Sequence, residues 1–116
     1  MVTRLIDTDV LIDHFRGARP FRPPKGKASV SVVTRCELFA GHAADEKGID
    51  TVLAALAEHP VDRAVSERAG RLRRRTGLRI ADALIAATAM EHGLTLVTRN
   101  TGDFAGVQGL KIQPPP

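Results

Sequence analysis

The sequence predicts an α/β protein, built as a short, mainly parallel sheet with helices on both faces. Two observations carry that expectation. Short apolar, β-branched runs alternate with longer segments of helical periodicity. The composition is 43% hydrophobic against 26% charged over 116 residues, which is globular and sufficient for one core.

The elements follow in order. Arg4-Leu5-Ile6 is an apolar run ending at Asp7-Thr8-Asp9, a buried strand followed by a turn. Val10, Leu11, His14 and Phe15 recur at helical spacing until Gly17. Arg19 to Gly26 is a Pro-rich basic loop. Ala28 to Val33 reads as a second strand, Thr34 to Gly41 as a helix, and Asp45 to Glu58 as another. Pro60-Val61 reads as a short third strand. Asp62 is a good N-cap for a helix over Arg63 to Thr76, which Gly77 ends. Ile80 to His92 is an Ala-rich apolar helix closed by Gly93. Leu94 to Val97 is a strand, and Leu110 to Ile112 a last short one. No repeat or second domain is evident, so residues 1–113 form one expected domain and residues 114–116 a frayed Pro-rich tail.

Several classes are excluded. No run of about 18 apolar residues suggests a membrane span, and the N-terminus lacks the pattern of a secretory signal. The single cysteine, Cys36, precludes an internal disulfide framework and fits a reducing, cytoplasmic setting. Cys36 itself is expected to be a small buried hydrophobe. With no Trp, no Tyr and four Phe, base stacking is a poor route to nucleic-acid recognition.

The formal charge of +4 conceals a partition. Arg16 to Lys27 carries +5, Arg63 to Arg79 carries +6, and the remaining residues carry −7. Most of the acids read as solvated helix faces, among them Asp13, Asp45, Asp50, Glu58, Glu67 and Glu91. Four do not fit that description. Asp7 and Asp103 follow strands, and the carboxyl ends of parallel strands form the ligand crevice of α/β sheets. Glu37 and Asp82 have small or apolar helical neighbours, so each lies on a face that should pack. Two carboxylates about 4 Å apart repel by roughly 4 kcal/mol at an effective dielectric near 20. A cluster therefore needs protons or a cation. The donors are all oxygen and the four histidines show no paired ligand spacing, which indicates a hard ion, Mg²⁺ or Mn²⁺, and phosphoryl chemistry.

At these residues the chain resembles the PIN-domain family and, within it, the VapC-type toxin ribonucleases. The resemblance lies in Leu5 to Ile12, Val32 to Leu38, Ala81 to Ala89 and Leu96 to Phe104, taken in order and spacing. It implies a three-layer α/β/α sandwich and an acidic metal-binding quartet that falls on Asp7, Glu37, Asp82 and Asp103. It also implies metal-dependent endonucleolytic cleavage of RNA and a cognate antitoxin covering the site. Homodimers, and promoter DNA bound only through the antitoxin, belong to the same expectation. Asp9 stands where the family often has Asn or Ser, and Asn100 where it often has Asp. The fourth oxygen therefore comes from Asp103, which carries charge, or from Asn100. Thr98 is a candidate donor to a carboxylate or phosphate. Arg71, Arg74, Arg75 and Arg79, with Arg73 and the Arg16–Lys27 loop, are candidates for RNA backbone contact. Leu11, Phe15 and Phe39 suit either the core or an antitoxin groove, with the core favoured.

Other uses of Asp7 stay open. The segment Asp7 to Leu11 also resembles the first motif of haloacid-dehalogenase-type phosphatases, in which Asp7 would be the nucleophile; the later Lys and adjacent Asp pair of that family are missing. A receiver-like or non-catalytic PIN module is a further alternative.

Overall fold

The computed structural model describes residues 1–22, 27–42 and 44–116. Pro23, Pro24, Lys25 and Gly26 of the basic loop, and Ala43, lie outside the described residues. Among those described, one sheet contains β1 (Arg4–Ile6), β2 (Ala28–Ser31), β3 (Ala57–His59), β4 (Thr95–Val97) and β5 (Ile112–Gln113). Its spatial order is β3-β2-β1-β4-β5, with every pairing parallel. The helices are α1 (Thr8–Phe15), α2 (Val32–Phe39), α3 (Glu46–Ala54), α4 (Arg63–Thr76), α5 (Ile80–Glu91) and α6 (Thr101–Phe104). None is long and apolar enough to cross a membrane.

Successive strand residues point to opposite faces, and both faces are covered. Leu5 and Leu96 pack with Val65, Ala69 and Leu72 of α4 and with Ile85 and Ala89 of α5. Ile6, Val30 and Val97 pack with Leu11 of α1, Leu38 of α2 and Ile49 and Leu53 of α3. Each such side chain contributes roughly 2 kcal/mol on leaving water.

The topology also fixes where a site can form. From β1 the chain moves outward through β2 to β3, then returns to the other side of β1 for β4 and β5. The order reverses between β1 and β4, and such a reversal leaves a crevice beyond the carboxyl ends of those two strands. Register pairs Ile6 with Val97, so Asp7 and Thr98 emerge side by side.

Helix starts are set by side-chain caps. Ser31 accepts from the Val33 N–H at 3.0 Å, Asp45 from Gly48 at 3.2 Å and Asp62 from Val65 at 2.9 Å. At the end of α4, Gly77 has φ +76°, a left-handed conformation that glycine takes without steric cost. There the Arg73 guanidinium donates to the Leu78 carbonyl at 2.7 Å.

Several boundaries differ from the sequence expectation. Val32 and Val33 begin α2 rather than extending β2, because Ser31 caps the helix at that point. β3 is Ala57–His59, not Pro60-Val61, and α3 stops at Ala54 rather than Glu58. Pro60 has no N–H to give a ladder, whereas Glu58 within β3 is gripped by Arg35 of α2 at 2.8 and 2.9 Å. The last strand falls at Ile112–Gln113, and the short α6 was not anticipated. Cys36 is exposed, not buried. It lies two residues from both Thr34 and Leu38, the inward residues of α2, and thus about 200° around the helix from them. Leu11 is in the core and Phe39 packs against it, but Phe15 is exposed.

Because Asp62 acts as a cap, Asp62→Ala is expected to cost about 1 kcal/mol of stability. Chemical denaturation should show that loss.

Candidate functional site

Asp7 is the first residue past β1 and the N-cap of α1, and it is 3% exposed. Its N–H donates to the Val97 carbonyl at 2.9 Å, joining it to β4. One carboxylate oxygen accepts from the Thr8 N–H at 2.8 Å, and the other from the Thr98 hydroxyl at 2.8 Å. Thr98, itself fully buried, accepts the Asn100 N–H at 3.0 Å.

Asp9 stands beside this pair. Its Oδ2 accepts the Arg99 N–H at 3.1 Å, while its Oδ1 is buried and has no hydrogen-bond partner among the described residues. The Arg99 side chain pairs with Asp13 at 2.6 Å. Burial pushes the Asp7 carboxyl from 3.8 up to about 7; the Asp9 charge adds to the push, the bonds from Thr98 and Thr8 oppose it, and Asp82 raises it further. Burial raises Asp9 as well, against the Arg99 and Val10 N–H groups.

The remaining acids are placed less tightly. Glu37, half-buried on α2, accepts from the Thr8 hydroxyl at 2.7 Å. Asp82, in the first turn of α5, is paired with the exposed Arg79 at 3.5 Å. Asp103 is exposed on α6, and Asn100 is exposed at its start. The structure therefore unites Asp7, Asp9 and Thr98 in direct contact, with Asp82 near enough to act on Asp7 through its charge. Glu37 joins through Thr8.

Among the described residues, no three His, Cys, Asp or Glu side chains stand close enough together to grip one ion. The donor set nevertheless suits a hard cation. Its atoms are carboxylate oxygens, one of them buried and unpartnered, and Asp9 and Asp82 both act on Asp7 as like charges. Mg²⁺ keeps several waters and binds through one or two carboxylates, so two acids at the strand end are enough to start a site. Three of the four histidines are otherwise engaged: His14 Nδ1 accepts from the Phe21 N–H at 3.0 Å, and the His59 and His92 rings stack with centroids 4.3 Å apart.

Three contributors were not expected from the sequence. Thr8 and Thr34 link α1 to Glu37, and Arg99 ties β4 to Asp9 and Asp13. For Thr34, and for Asp13 as the partner of Arg99, spacing carried a signal. Thr34 lies three residues before Glu37 and Asp13 four after Asp9, so each shares a helix face with a site acid. Of the candidate RNA contacts, Arg71, Arg74 and Arg75 are exposed on α4, whereas Arg73 serves the end of that helix.

The model of the PIN domain family matches residues 4–110. The chain belongs to the PIN-domain family. Ribonuclease VapC10 of Mycobacterium tuberculosis is 34% identical to this PIN domain over 119 aligned residues, covering 92% of this chain and 90% of that protein. A toxin–antitoxin complex from Klebsiella pneumoniae contains a chain 33% identical, with a TM-score of 0.80 and 98% of each chain covered. A chain in DNA-bound VapBC from Salmonella typhimurium superposes with a TM-score of 0.84 at 19% identity, which speaks for the fold alone, again over 98% of each chain. The family match spans β1 to β4 and all the site acids described above. The phosphatase and receiver-like uses of Asp7 are not favoured.

The buried charge has a thermodynamic signature. Asp7 has a folded pKa above its unfolded value, so its contribution is fully present below about 4 and is lost as pH rises through about 7. Asp7→Asn removes that penalty. In metal-free protein at pH 8 the variant should melt several degrees above wild type, with the difference shrinking towards pH 4 in a calorimetric series. An equal shift at both pH values would contradict a buried Asp7 whose pKa is raised.

Proposed function

We propose that this PIN-domain protein is a divalent-metal-dependent endoribonuclease and the toxin of a toxin–antitoxin pair. The observation that carries this proposal is the desolvated Asp7–Asp9 pair at the β1/β4 crevice, with one buried carboxylate oxygen left unpartnered. The kinship with a protein named as a ribonuclease supplies the substrate class.

Asp7 and Asp82 would hold Mg²⁺ or Mn²⁺, with Glu37 completing the acidic set and Asp103 supplying the fourth oxygen. When bound, the ion lowers the pKa of water and stabilises charge developing on phosphate oxygens. Thr98 fixes Asp7 by donating to it, leaving the other lone pairs of the carboxylate for the ion. Asp9 adds negative charge at the strand end, and the Arg99 N–H holds its orientation. Arg79, largely exposed beside Asp82, would meet a phosphate. Arg71, Arg74 and Arg75 extend that cationic surface along α4, offsetting the repulsion between RNA and the acids. With so few aromatic side chains, recognition rests on backbone and folded shape.

The assigned partners are RNA, a second copy of the chain, and a cognate antitoxin that covers the acidic site and alone contacts promoter DNA. Ile80, 57% exposed and two residues before Asp82, offers that antitoxin an apolar contact beside the acids. The setting is the cytoplasm. Residues 1–113 are the unit to which the activity is assigned, and residues 114–116 lie outside it.

Asp7→Asn and Asp82→Asn should each lower Mn²⁺-dependent cleavage of RNA by roughly two orders of magnitude or more, and EDTA should abolish it. Full cleavage by Asp7→Asn, or in EDTA, would defeat the assignment; so would a wild-type protein that binds RNA and never cuts it. Asp103→Asn should reduce cleavage more than Asn100→Ala. The double change Arg74→Glu with Arg75→Glu should weaken RNA binding and flatten its salt dependence, by about 0.7 for each phosphate no longer neutralised. An unchanged slope would place RNA elsewhere.

A further inference from the structure

The Thr34 hydroxyl departs from the habit of three other helical threonines. Thr51, Thr76 and Thr88 donate to the carbonyls four residues back, those of Lys47, Leu72 and Leu84, at 2.9, 2.7 and 2.7 Å. Such back-bonds are a common outlet for a threonine hydroxyl within a helix. Thr34 is the third residue of α2, too early for a carbonyl of its own helix four residues back. Its partner lies on another element: the hydroxyl oxygens of Thr34 and Thr8 are 2.9 Å apart. Thr34 is 0% exposed and Thr8 is 5% exposed, so water does not compete for these groups.

Proton counting fixes the direction of this chain. Each hydroxyl has one proton to donate. Thr8 Oγ1 is 2.7 Å from Glu37 Oε1, and an ionised carboxylate can only accept. Thr8 therefore gives its proton to Glu37, in the stronger, charge-assisted bond. Its oxygen then accepts from Thr34. Thr34 to Thr8 to Glu37 is a relay in which every hydroxyl is satisfied.

We infer that Thr34 is a positioning residue, which acts through Thr8 to hold the Glu37 carboxylate in one orientation beside the N-terminus of α1. That N-terminus begins at Asp7, so the relay sets one acid of the site relative to another. Glu37 is only half-buried, and a free glutamate side chain samples several rotamers. Holding it in advance removes an ordering cost that ion binding would otherwise meet. This role rests on Glu37 belonging to the proposed metal site, but the orientation itself does not depend on an ion.

The test compares wild type with Thr34→Val, which keeps the shape and removes the hydroxyl, and Thr34→Ser, which keeps the hydroxyl. In metal-free protein, three-bond couplings of Glu37 by NMR should report one rotamer in wild type and Thr34→Ser and averaging in Thr34→Val. Titration calorimetry with Mn²⁺ should show affinity falling about tenfold in Thr34→Val and recovering in Thr34→Ser. A role confined to packing would lower the melting temperature and leave both readouts unchanged. If Thr34→Val does not fold, Thr8→Val removes the last link and carries the same expectations. Unchanged couplings and unchanged Mn²⁺ affinity in a folded variant would overturn the inference. A wild-type protein that binds no Mn²⁺ would defeat the metal site instead, while the couplings still decide what holds Glu37.

Discussion

A carboxylate kept out of water at the end of the central strand sets the terms for everything around it. Asp7 follows β1, the middle strand of the sheet, and the edge of β4 lies against it. Burial there opposes ionisation, and the neighbouring Asp9 opposes it further. The fold meets this with donors rather than with a cation in contact. The Thr8 N–H and the Thr98 hydroxyl each bind one oxygen of Asp7, and the Arg99 N–H binds Asp9. The nearby guanidinium of Arg99 is turned to Asp13. The strand end is consequently well oriented and electrostatically incomplete, a combination suited to taking up a positive ion.

The charge of the chain is divided to match. Asp45 and Asp62 are spent on starting helices, and Asp50, Glu58 and Glu91 pair with Arg35 and Arg68 on the surface. Exposed pairs of that kind contribute at most about 1 kcal/mol each. At the β1/β4 crevice Asp82 has only the exposed Arg79, and Asp7 has no cation in contact among the described residues. Arginine instead accumulates along the outer face of α4, whose inner stripe of Val65, Ala69 and Leu72 fastens it to the core. One helix thus contributes to packing on one side and presents cationic surface on the other.

Much of this was legible in the sequence, for physical reasons. Leu5-Ile6 and Leu96-Val97 are buried on both faces, so their apolar runs marked central strands, and the acid after Ile6 stood out against them. Asp82 was conspicuous because Ile85, Ala86 and Ala89 around it are core residues. β3 was misplaced because it is an edge strand: Ala57 is exposed and Glu58 and His59 are half-covered, so no alternation announces it. Val32 and Val33 have strand propensity, but the Ser31 cap decides for helix. The Thr34–Thr8–Glu37 contacts were out of reach, since they join residues 26 and 29 positions apart through a packing that no local pattern encodes.

The bond between Thr98 and Asp7 spans 91 positions of the chain. A parallel sheet offers no local shortcut, since each pairing of adjacent strands waits for a crossover to be completed. During synthesis, β1 and its acids precede the strand that closes the crevice by most of the intervening fold, with β2, β3 and five helices made in between. Until then Asp7 has neither the Thr98 hydroxyl nor the Val97 carbonyl as a partner. A chain that has not yet reached β4 is therefore without an assembled site, and its acids lack the groups that orient them.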